Sequence, residues 1–197
     1  MRSPSHSASA SYTLTFPTTD GNADQFLQSN GSGVLTWADA GGGITEADQF
    51  RLSSDLTTND AFFTTNLERN DNNFDKIGTG MSESSGVFSF PSTGIYLVSL
   101  NIVARATSLG DIRYAGGQIH CTADNSNYAI LAEAYNGCNN HGSAYYFSSS
   151  MQAIVDVSNT TNVKVKFNAQ ASNSSVIFGG DTVKNECCFT FIRLGDT

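Results

Sequence analysis

The residues best suited to metal chemistry are two histidines and two cysteines in two short segments. His120 directly precedes Cys121, and Cys138 is followed three residues later by His141. Zinc in proteins takes four such ligands in a tetrahedron, so the residue types are right. However, successive side chains of a strand point to opposite faces, and His120 and Cys121 occupy a predicted strand. We therefore predict no metal site and no cofactor here.

Oxygen ligands that suit calcium are concentrated in one polar segment. Asp124, Asn125 and Asn127 lie together between two predicted strands, and calcium prefers carboxylate and amide oxygens. Calcium binding at this turn stays open as an alternative.

No catalytic grouping is indicated. A nucleophilic triad needs a histidine between a nucleophile and a carboxylate, and apart from the N-terminal His6 only His120 and His141 are available. No Gly-x-Ser-x-Gly elbow occurs. The acids available for glycoside cleavage follow no pattern: Glu68, Asp71, Glu83 and Glu133. The glycine runs 41–43 and 179–180 lack the lysine and helix of a phosphate loop. We expect a protein that is not an enzyme.

Composition points to one all-β domain with an appendage. The chain has 197 residues, of which 39% are hydrophobic, 14% are charged and three are proline. Abundant Gly, Ser, Thr and Asn indicate many turns between strands. The net charge is −8 and the ten basic residues are scattered, which argues against nucleic-acid binding.

Neither membrane insertion nor secretion is indicated. No run of about 18 apolar residues occurs, and the first eight residues lack the apolar core of a secretory signal. The four cysteines are Cys121, Cys138, Cys187 and Cys188. A Cys121–Cys138 disulfide is one possibility, and reduced, buried thiols are the favoured one.

The chain divides by composition into four segments. Residues 1–11 are Ser- and Ala-rich and are predicted to be a flexible arm. Residues 12–43 form a small β module that ends in three glycines, a plausible hinge. Residues 44–70 are interpreted as a connector and the first strand of a head, and residues 71–197 as the head itself.

The head shows regularly spaced strand patterns with little helical periodicity. Strands are predicted at these places: 96–103, 114–121, 128–135, 144–157, 163–167, 176–178 and 187–194. Residues 86–100, GVFSFPSTGIYLVSL, read as a strand, a tight turn and a second strand, with aromatic residues at alternate positions.

This run resembles the signature of the complement globular-head and tumour-necrosis-factor-like jelly rolls, in which it forms the first inner hairpin. The terminal run FTFIRL at 189–194 also resembles that family, whose last strand is central. The resemblance implies a ten-stranded jelly-roll β-sandwich that assembles as a homotrimer. It implies core or trimer-axis roles for six aromatic residues: Phe88, Phe90, Tyr96, Phe167, Phe189 and Phe191.

Residues 12–39, YTLTFPTTDGNADQFLQSNGSGVLTWAD, resemble a module of tailed-bacteriophage fibre proteins. An alternating strand is predicted over 12–16, with turns at Asp20-Gly21 and at 30–33. One such unit has little apolar surface, and an isolated hairpin is marginal in water. Three copies together could bury its apolar side chains: Phe16, Phe26, Leu27, Leu35 and Trp37.

Tyrosines are more numerous than a core requires. A sugar- or protein-docking surface is one interpretation, because tyrosine combines an apolar face with a polar tip, and packing in the core or trimer interface is the other. The candidates are Tyr114, Tyr128, Tyr135, Tyr145 and Tyr146.

These observations predict a non-enzymatic structural protein of a tailed-phage virion. It would be a homotrimer, made in the host cytoplasm, that decorates or cements the capsid or forms a short head fibre. Its other partners would be capsid or tail proteins bound through the N-terminal segment. A receptor-binding tail-fibre tip that contacts a host glycan or protein is the alternative, and a secreted glycan-binding lectin is a third hypothesis.

Overall fold

The computed structural model describes residues 12–39, 43–72, 74–106, 111–139 and 145–197, so the predicted arm at 1–11 lies outside the described residues. The described part of the chain contains strands and no helix. Internal contacts divide the chain into two units, 1–43 and 44–197. Each unit is described by itself.

Unit 1 contains one antiparallel hairpin, β1 (Gln25–Ser29) and β2 (Leu35–Asp39), joined by the turn at 30–33. The predicted strand over 12–16 is wrong, because that segment makes only one parallel bridge, Thr15 to Val34. Asp20-Gly21 is not a hairpin turn either. A Cβ on Gly21 would lie 2.7 Å from the Trp37 ring, and Trp37 Nε1 donates to Thr19 O at 2.7 Å. The absent side chain thus makes room for the indole.

Unit 2 consists of fourteen strand segments within the described residues. Their bounds are β3 (Ala47–Leu52), β4 (Leu56–Thr57), β5 (Asp60–Phe62), β6 (Leu67–Arg69), β7 (Lys76–Ile77), β8 (Ser82–Ser84), β9 (Val87–Ser89), β10 (Gly94–Ala106), β11 (Ile112–Thr122), β12 (Ala129–Cys138), β13 (Tyr145–Val157), β14 (Lys164–Ala171), β15 (Val176–Phe178) and β16 (Cys188–Gly195). Residues 44–70 therefore hold four strands, where a connector and one strand were expected.

The eight-stranded sheet is built around β10 and β16. β10 pairs along its whole length with β13 on one side and with β16 and β15 on the other. β16 continues the sheet to β3, which pairs with β6 and β7. The last strand is thus central, as the jelly-roll resemblance implied.

The six-stranded sheet runs in the order β12, β11, β14, β9, β8, with β5 also paired to β14. All its ladders are antiparallel, and β11–β12 and β11–β14 are the long ones. The two sheets face each other and enclose the core. Because interior side chains alternate along every strand, each sheet also has a face turned away from the core.

The predicted inner hairpin at 86–100 is wrong, because its two arms lie in different sheets. β9 pairs with β8 and β14, whereas β10 pairs with β13, β15 and β16. The turn between them crosses the sandwich, so the aromatic residues of both arms meet inside it. Phe90 and Tyr96, one from each side of the turn, have ring centroids 4.7 Å apart.

The all-β jelly-roll prediction is confirmed, with the strands divided more finely than into ten. Among the described residues, no helix is long and apolar enough to cross a membrane.

Candidate functional site

The six aromatic residues assigned to core or trimer-axis roles all lie inside the sandwich. Phe88 is fully buried, and its ring contacts Phe50, Phe167, Phe189 and Phe191 at centroid distances of 5.0–5.9 Å. Phe90 and Tyr96 are buried beside them. These residues form the core of one chain, so any contact between chains must use other side chains.

The outward face of the eight-stranded sheet carries a line of apolar side chains that runs across neighbouring strands. Leu97 of β10 is opposite Ile154 of β13 and Ile192 of β16, and Ile192 is opposite Ala47 of β3, which is opposite Ile77 of β7. Directly opposed residues of antiparallel strands share a face, so five apolar residues cross five strands. We call these five residues the apolar row.

The two ends of the apolar row differ in shape. At the β13 end, Ile154 projects from the sheet with 67% of its surface exposed. At the β7 end, a shallow pocket of about 280 Å³ lies beside the row, and Ile44, Phe74, Ile77 and Ile192 contribute its apolar lining. One end is therefore a knob and the other is a hollow.

Next to the apolar row, two loops cover the sheet, and both are hydrogen-bonded to Gln49. Gln49 Nε2 donates to Thr190 Oγ1 at 2.8 Å, and Gln49 Oε1 accepts from Asn70 Nδ2 at 3.0 Å and Asn185 Nδ2 at 2.6 Å. Asn72 Nδ2 also donates to Val183 O at 3.0 Å, which joins the two loops to each other. We call this covering, residues 70–72 and 181–187, the roof.

A fully buried arginine lies beneath the roof. Arg51 has no exposed surface, and it donates to Asn70 Oδ1 at 3.1 Å, Glu68 Oε1 at 3.2 Å and Asp71 Oδ1 at 2.5 Å. Arg51 Nε and Glu68 Oε2 are buried without a hydrogen-bond partner among the described residues. A buried charge of this kind is tolerated only with its partners in place, so the roof and Arg51 depend on each other.

The outward face of the six-stranded sheet brings together two of the candidate tyrosines, Tyr114 and Tyr135, and carries Tyr128 at the other end of the β11–β12 ladder. Tyr114 lies on β11, Tyr135 on β12, and Tyr128 just before β12. The rings of Tyr114 and Tyr135 are 5.6 Å apart and nearly perpendicular, at 75°. Tyr145 is buried in the core and is removed from this surface, while Tyr146 is exposed on the other sheet.

One glutamine organises the side chains around Tyr135. Gln118 is 94% buried, and its Nε2 donates to Tyr135 OH at 2.9 Å and Glu133 Oε2 at 3.1 Å, with a longer contact to Gln170 Oε1 at 3.4 Å. Tyr135 OH itself donates to Gln170 Oε1 at 2.7 Å. We call Tyr114, Gly116, Gln118, Glu133, Tyr135 and Gln170 the tyrosine patch.

His120 adjoins the tyrosine patch. Its Nε2 lies 2.9 Å from Gln118 Oε1, and its ring packs edge-on against Phe62 at 5.0 Å. Lys166 Nζ lies over the Phe62 ring at 3.9 Å and the Tyr128 ring at 4.2 Å. Burial, together with the positive charge of Lys166, lowers the pKa of His120. The histidine is therefore a neutral structural group near pH 7.

The residues considered for metal binding are separated or already engaged. Among the described residues, no three His, Cys, Asp or Glu side chains form a group that could hold a metal ion. The Asp124 carboxylate accepts hydrogen bonds from Asn127, Ser126 and Thr122, and the bonds from Asn127 are the main cause of its lowered pKa. The segment proposed for calcium is thus a closed turn. His141 lies outside the described residues.

The Cys121–Cys138 disulfide is excluded by strand register. Cys121 is opposite Ala129 and Cys138 is opposite Ile112, so they lie at opposite ends of the β11–β12 ladder, roughly 30 Å apart. The thiols of Cys121, Cys187 and Cys188 are free. Burial raises the pKa of Cys187 to about 12, which keeps that thiol protonated.

The apolar side chains of unit 1 are only partly covered. Phe16, Phe26 and Leu27 are exposed, and Leu35 and Trp37 are half-buried. The single hairpin does not enclose its own apolar residues.

The sequence prediction missed the apolar row and Gln118. A signal for the row was present, because β10 carries apolar residues on both faces: Leu97 and Val103 outward, Val98 and Ile102 inward. Strands covered on both sides show this pattern. No local signal marks Gln118, since its importance comes from β12 and β14 beside it.

Solved structures with a similar fold include murine APRIL and the Eiger TNF from S. frugiperda. The APRIL structure at pH 8.5 gives a TM-score of 0.54 at 9% identity, covering 76% of this chain and 98% of that chain. Eiger gives a TM-score of 0.57 at 12% identity, covering 79% and 96%. No protein-family model and no curated protein matches the chain. The likeness shows that the chain adopts a TNF-like jelly-roll β-sandwich.

Proposed function

We propose that three copies of this chain assemble through the outward face of the eight-stranded sheet into a non-enzymatic structural trimer. The observation that carries the proposal is the apolar row, which leaves Ile154 and Ile77 uncovered in a single chain. Exposed apolar groups aligned across a sheet mark sites of association.

The shape of the apolar row supports a ring. Its knob, Ile154, and its hollow, beside Ile77 and Phe74, lie at opposite ends of the same face. Contacts between two different patches of identical chains are head-to-tail, and they close into a ring when the rotation allows it. The TNF-like sandwich is a fold for which a ring of three is the natural expectation.

The exposed apolar side chains of unit 1 support the same assembly. Phe16, Phe26 and Leu27 need a partner surface, which two further copies of the hairpin would supply. In this arrangement unit 1 is the attachment segment that binds another protein of the particle.

We propose the surface of a tailed-phage virion as the place where the trimer acts, as a capsid decoration or cement protein or as a short head fibre. The support is the resemblance of residues 12–39 to a phage-fibre module. A receptor-binding tip is the second candidate, favoured by the tyrosine patch on the open face of the six-stranded sheet. A secreted lectin has less support.

Light scattering on the full chain tests the trimer. We expect three times the protomer mass for the wild type and the protomer mass for Ile154→Lys, because a lysine ammonium at the knob would have to be desolvated in the hollow. Ile130→Lys on β12 is the matched control: Ile130 is also exposed, lies on the other sheet, and should leave the trimer intact. A wild-type monomer would refute the proposal.

Imaging of purified phage particles with symmetry averaging tests the location. Many copies at three-fold or quasi-three-fold capsid positions mean decoration, a few copies at the tail mean a receptor-binding tip, and absence from particles refutes the virion role.

A further inference from the structure

We propose that the tyrosine patch binds a neutral hexopyranosyl group, with the ring of Tyr135 as the platform on which the sugar stacks. The inference goes beyond the assembly proposal and does not depend on it, because the patch and the apolar row lie on different sheets. It is carried by the geometry of six residues.

The platform lies across β11 at the level of Gly116, which has no side chain. Gly116 of β11 is directly opposite Tyr135 of β12, and on its other side it is opposite Gln170 of β14. Tyr135 OH nevertheless reaches Gln170 Oε1 at 2.7 Å. Strands are about 4.8 Å apart, so the ring must cross β11 over Gly116 to make that bond. One ring face therefore lies on the sheet, and the other faces outward.

Tyr114 forms a wall beside the platform. Its ring is nearly perpendicular to that of Tyr135, at 75°, and it is 42% exposed, while Tyr135 is 37% exposed. A flat ring and an upright ring make an open corner. The apolar C–H face of a pyranose can lie on the first ring and its edge can contact the second.

Polar atoms at the rim can bind the hydroxyl groups of the sugar. Glu133 Oε2 accepts a hydrogen bond from Gln118 Nε2 and lies 3.2 Å from Tyr135 OH, which leaves Oε1 as an acceptor. Gln170 uses Oε1, which leaves its amide nitrogen as a donor. An acceptor and a donor on either side of one ring suit neighbouring hydroxyls, each of which can donate and accept.

The patch is organised before any ligand arrives. Gln118, 94% buried, fixes Tyr135 and Glu133 through its amide nitrogen and His120 through its oxygen. Groups held in the bound geometry lose less entropy on binding, which suits a small ligand with few contacts.

Charge and size select the ligand class. Glu133 has no salt-bridge partner among the described residues, so an acidic sugar would be repelled by its carboxylate. A protein partner needs about 800 Å² on each side, and six residues on a flat sheet fall short of that. A neutral hexose fits both conditions.

Saturation-transfer NMR on the full chain tests the site with four probes: the methyl glycosides of glucose, galactose, mannose and glucuronic acid. We expect transfer to at least one neutral glycoside at millimolar concentration and weaker transfer to the glucuronide. Tyr135→Ala should weaken binding by about fivefold or more through loss of the stacking face. Tyr12→Ala removes an exposed tyrosine of unit 1 and should change nothing.

Glu133→Gln sharpens the test, because it removes the charge and keeps the shape. It should raise transfer to the glucuronide towards the level of the neutral sugars. Tyr114→Ala is the second variant should Tyr135→Ala fail to fold, and it should also weaken binding. No transfer to any neutral glycoside, or undiminished transfer to folded Tyr135→Ala, would overturn the proposal. Binding retained by monomeric Ile154→Lys would separate this inference from the assembly proposal.

Discussion

The two outward faces of the sandwich are each organised by one glutamine, with opposite results. Gln49, on the eight-stranded sheet, bonds to Asn70 and Asn185, which belong to loops. Gln118, on the six-stranded sheet, bonds to Glu133, Tyr135 and Gln170, which belong to the neighbouring strands.

The difference lies in where the partners come from. Loop partners are drawn over the sheet and cover part of it, beside the uncovered ends of the apolar row. Strand partners stay in the plane of the sheet, so the tyrosine patch remains open while its side chains are fixed. The same residue type thus closes one surface and organises another.

The largest expected effect is the loss of Arg51. Arg51→Met keeps much of the side-chain volume but leaves Glu68 without its cation beneath the roof, and breaking a buried ion pair typically costs about 3 kcal/mol or more. Urea unfolding should show that loss. Arg105→Met is the control, because Arg105 is partly exposed where it pairs with Asp55, and it should cost less than about 1 kcal/mol. Equal losses would mean that the roof does not depend on Arg51.

Gly116→Ala should be the next most costly change. The added Cβ would lie 1.9 Å from Ala134 O, so β11 and β12 must move apart, at a cost of about 1–3 kcal/mol. Thermal unfolding measures the loss. Gly195→Ala, where a Cβ meets nothing within 4 Å, should be nearly neutral. A neutral Gly116→Ala would show that β11 and β12 do not need this close approach.

The two glutamines can be compared directly by replacing each with leucine. Gln118→Leu and Gln49→Leu should each lower the free energy of unfolding by about 1–2 kcal/mol, because each leaves several polar groups without a hydrogen-bond partner. Hydrogen exchange should distinguish them. Faster exchange at 181–187 is expected only in Gln49→Leu, because only there do bonds hold a loop. The same exchange pattern in both variants would contradict the comparison.

The smallest effect concerns His120 and pH. Its folded-state pKa lies below the ordinary 6.5, so below that pH the unfolded chain takes up a proton that the folded chain refuses. Stability should therefore fall as the pH drops from 6.5 towards the folded pKa, and then level off. His120→Gln should remove this component from a plot of unfolding free energy against pH. An unchanged pH profile would show that His120 is not held in its neutral form.

The sequence predicts best those strands that can be identified from their own residue pattern, without knowledge of the strands with which they pair. β13 and β14 alternate inward and outward residues with period two, and turn residues separate them. The same alternation led to the wrong prediction of a hairpin at 86–100. Aromatic residues at every second position look alike whether two strands pair side by side or face each other across a core.

The unpredicted parts of the candidate site depend on contacts distant in sequence. Gln118 and Arg51 carry no local signal, because their partners come from residues 133–170 and 68–71. Tyr145 and Tyr146 are adjacent, and only the register of β13 decides that one is buried and the other exposed. The trimer, the attachment role of unit 1 and the virion location stay predictions.

Because β16 is central in its sheet, the order of synthesis limits when that sheet can be completed. β3 and β10 are made early, yet in the finished sheet residues 188–195 separate them. At about 5–20 residues per second, a ribosome needs several seconds to move from β10 to β16. During that interval β3 and β10 lack their shared neighbour. The complete eight-stranded sheet, and with it the complete apolar row, can form only after β16 has emerged from the ribosome. Contact between copies through the apolar row is therefore delayed until that point.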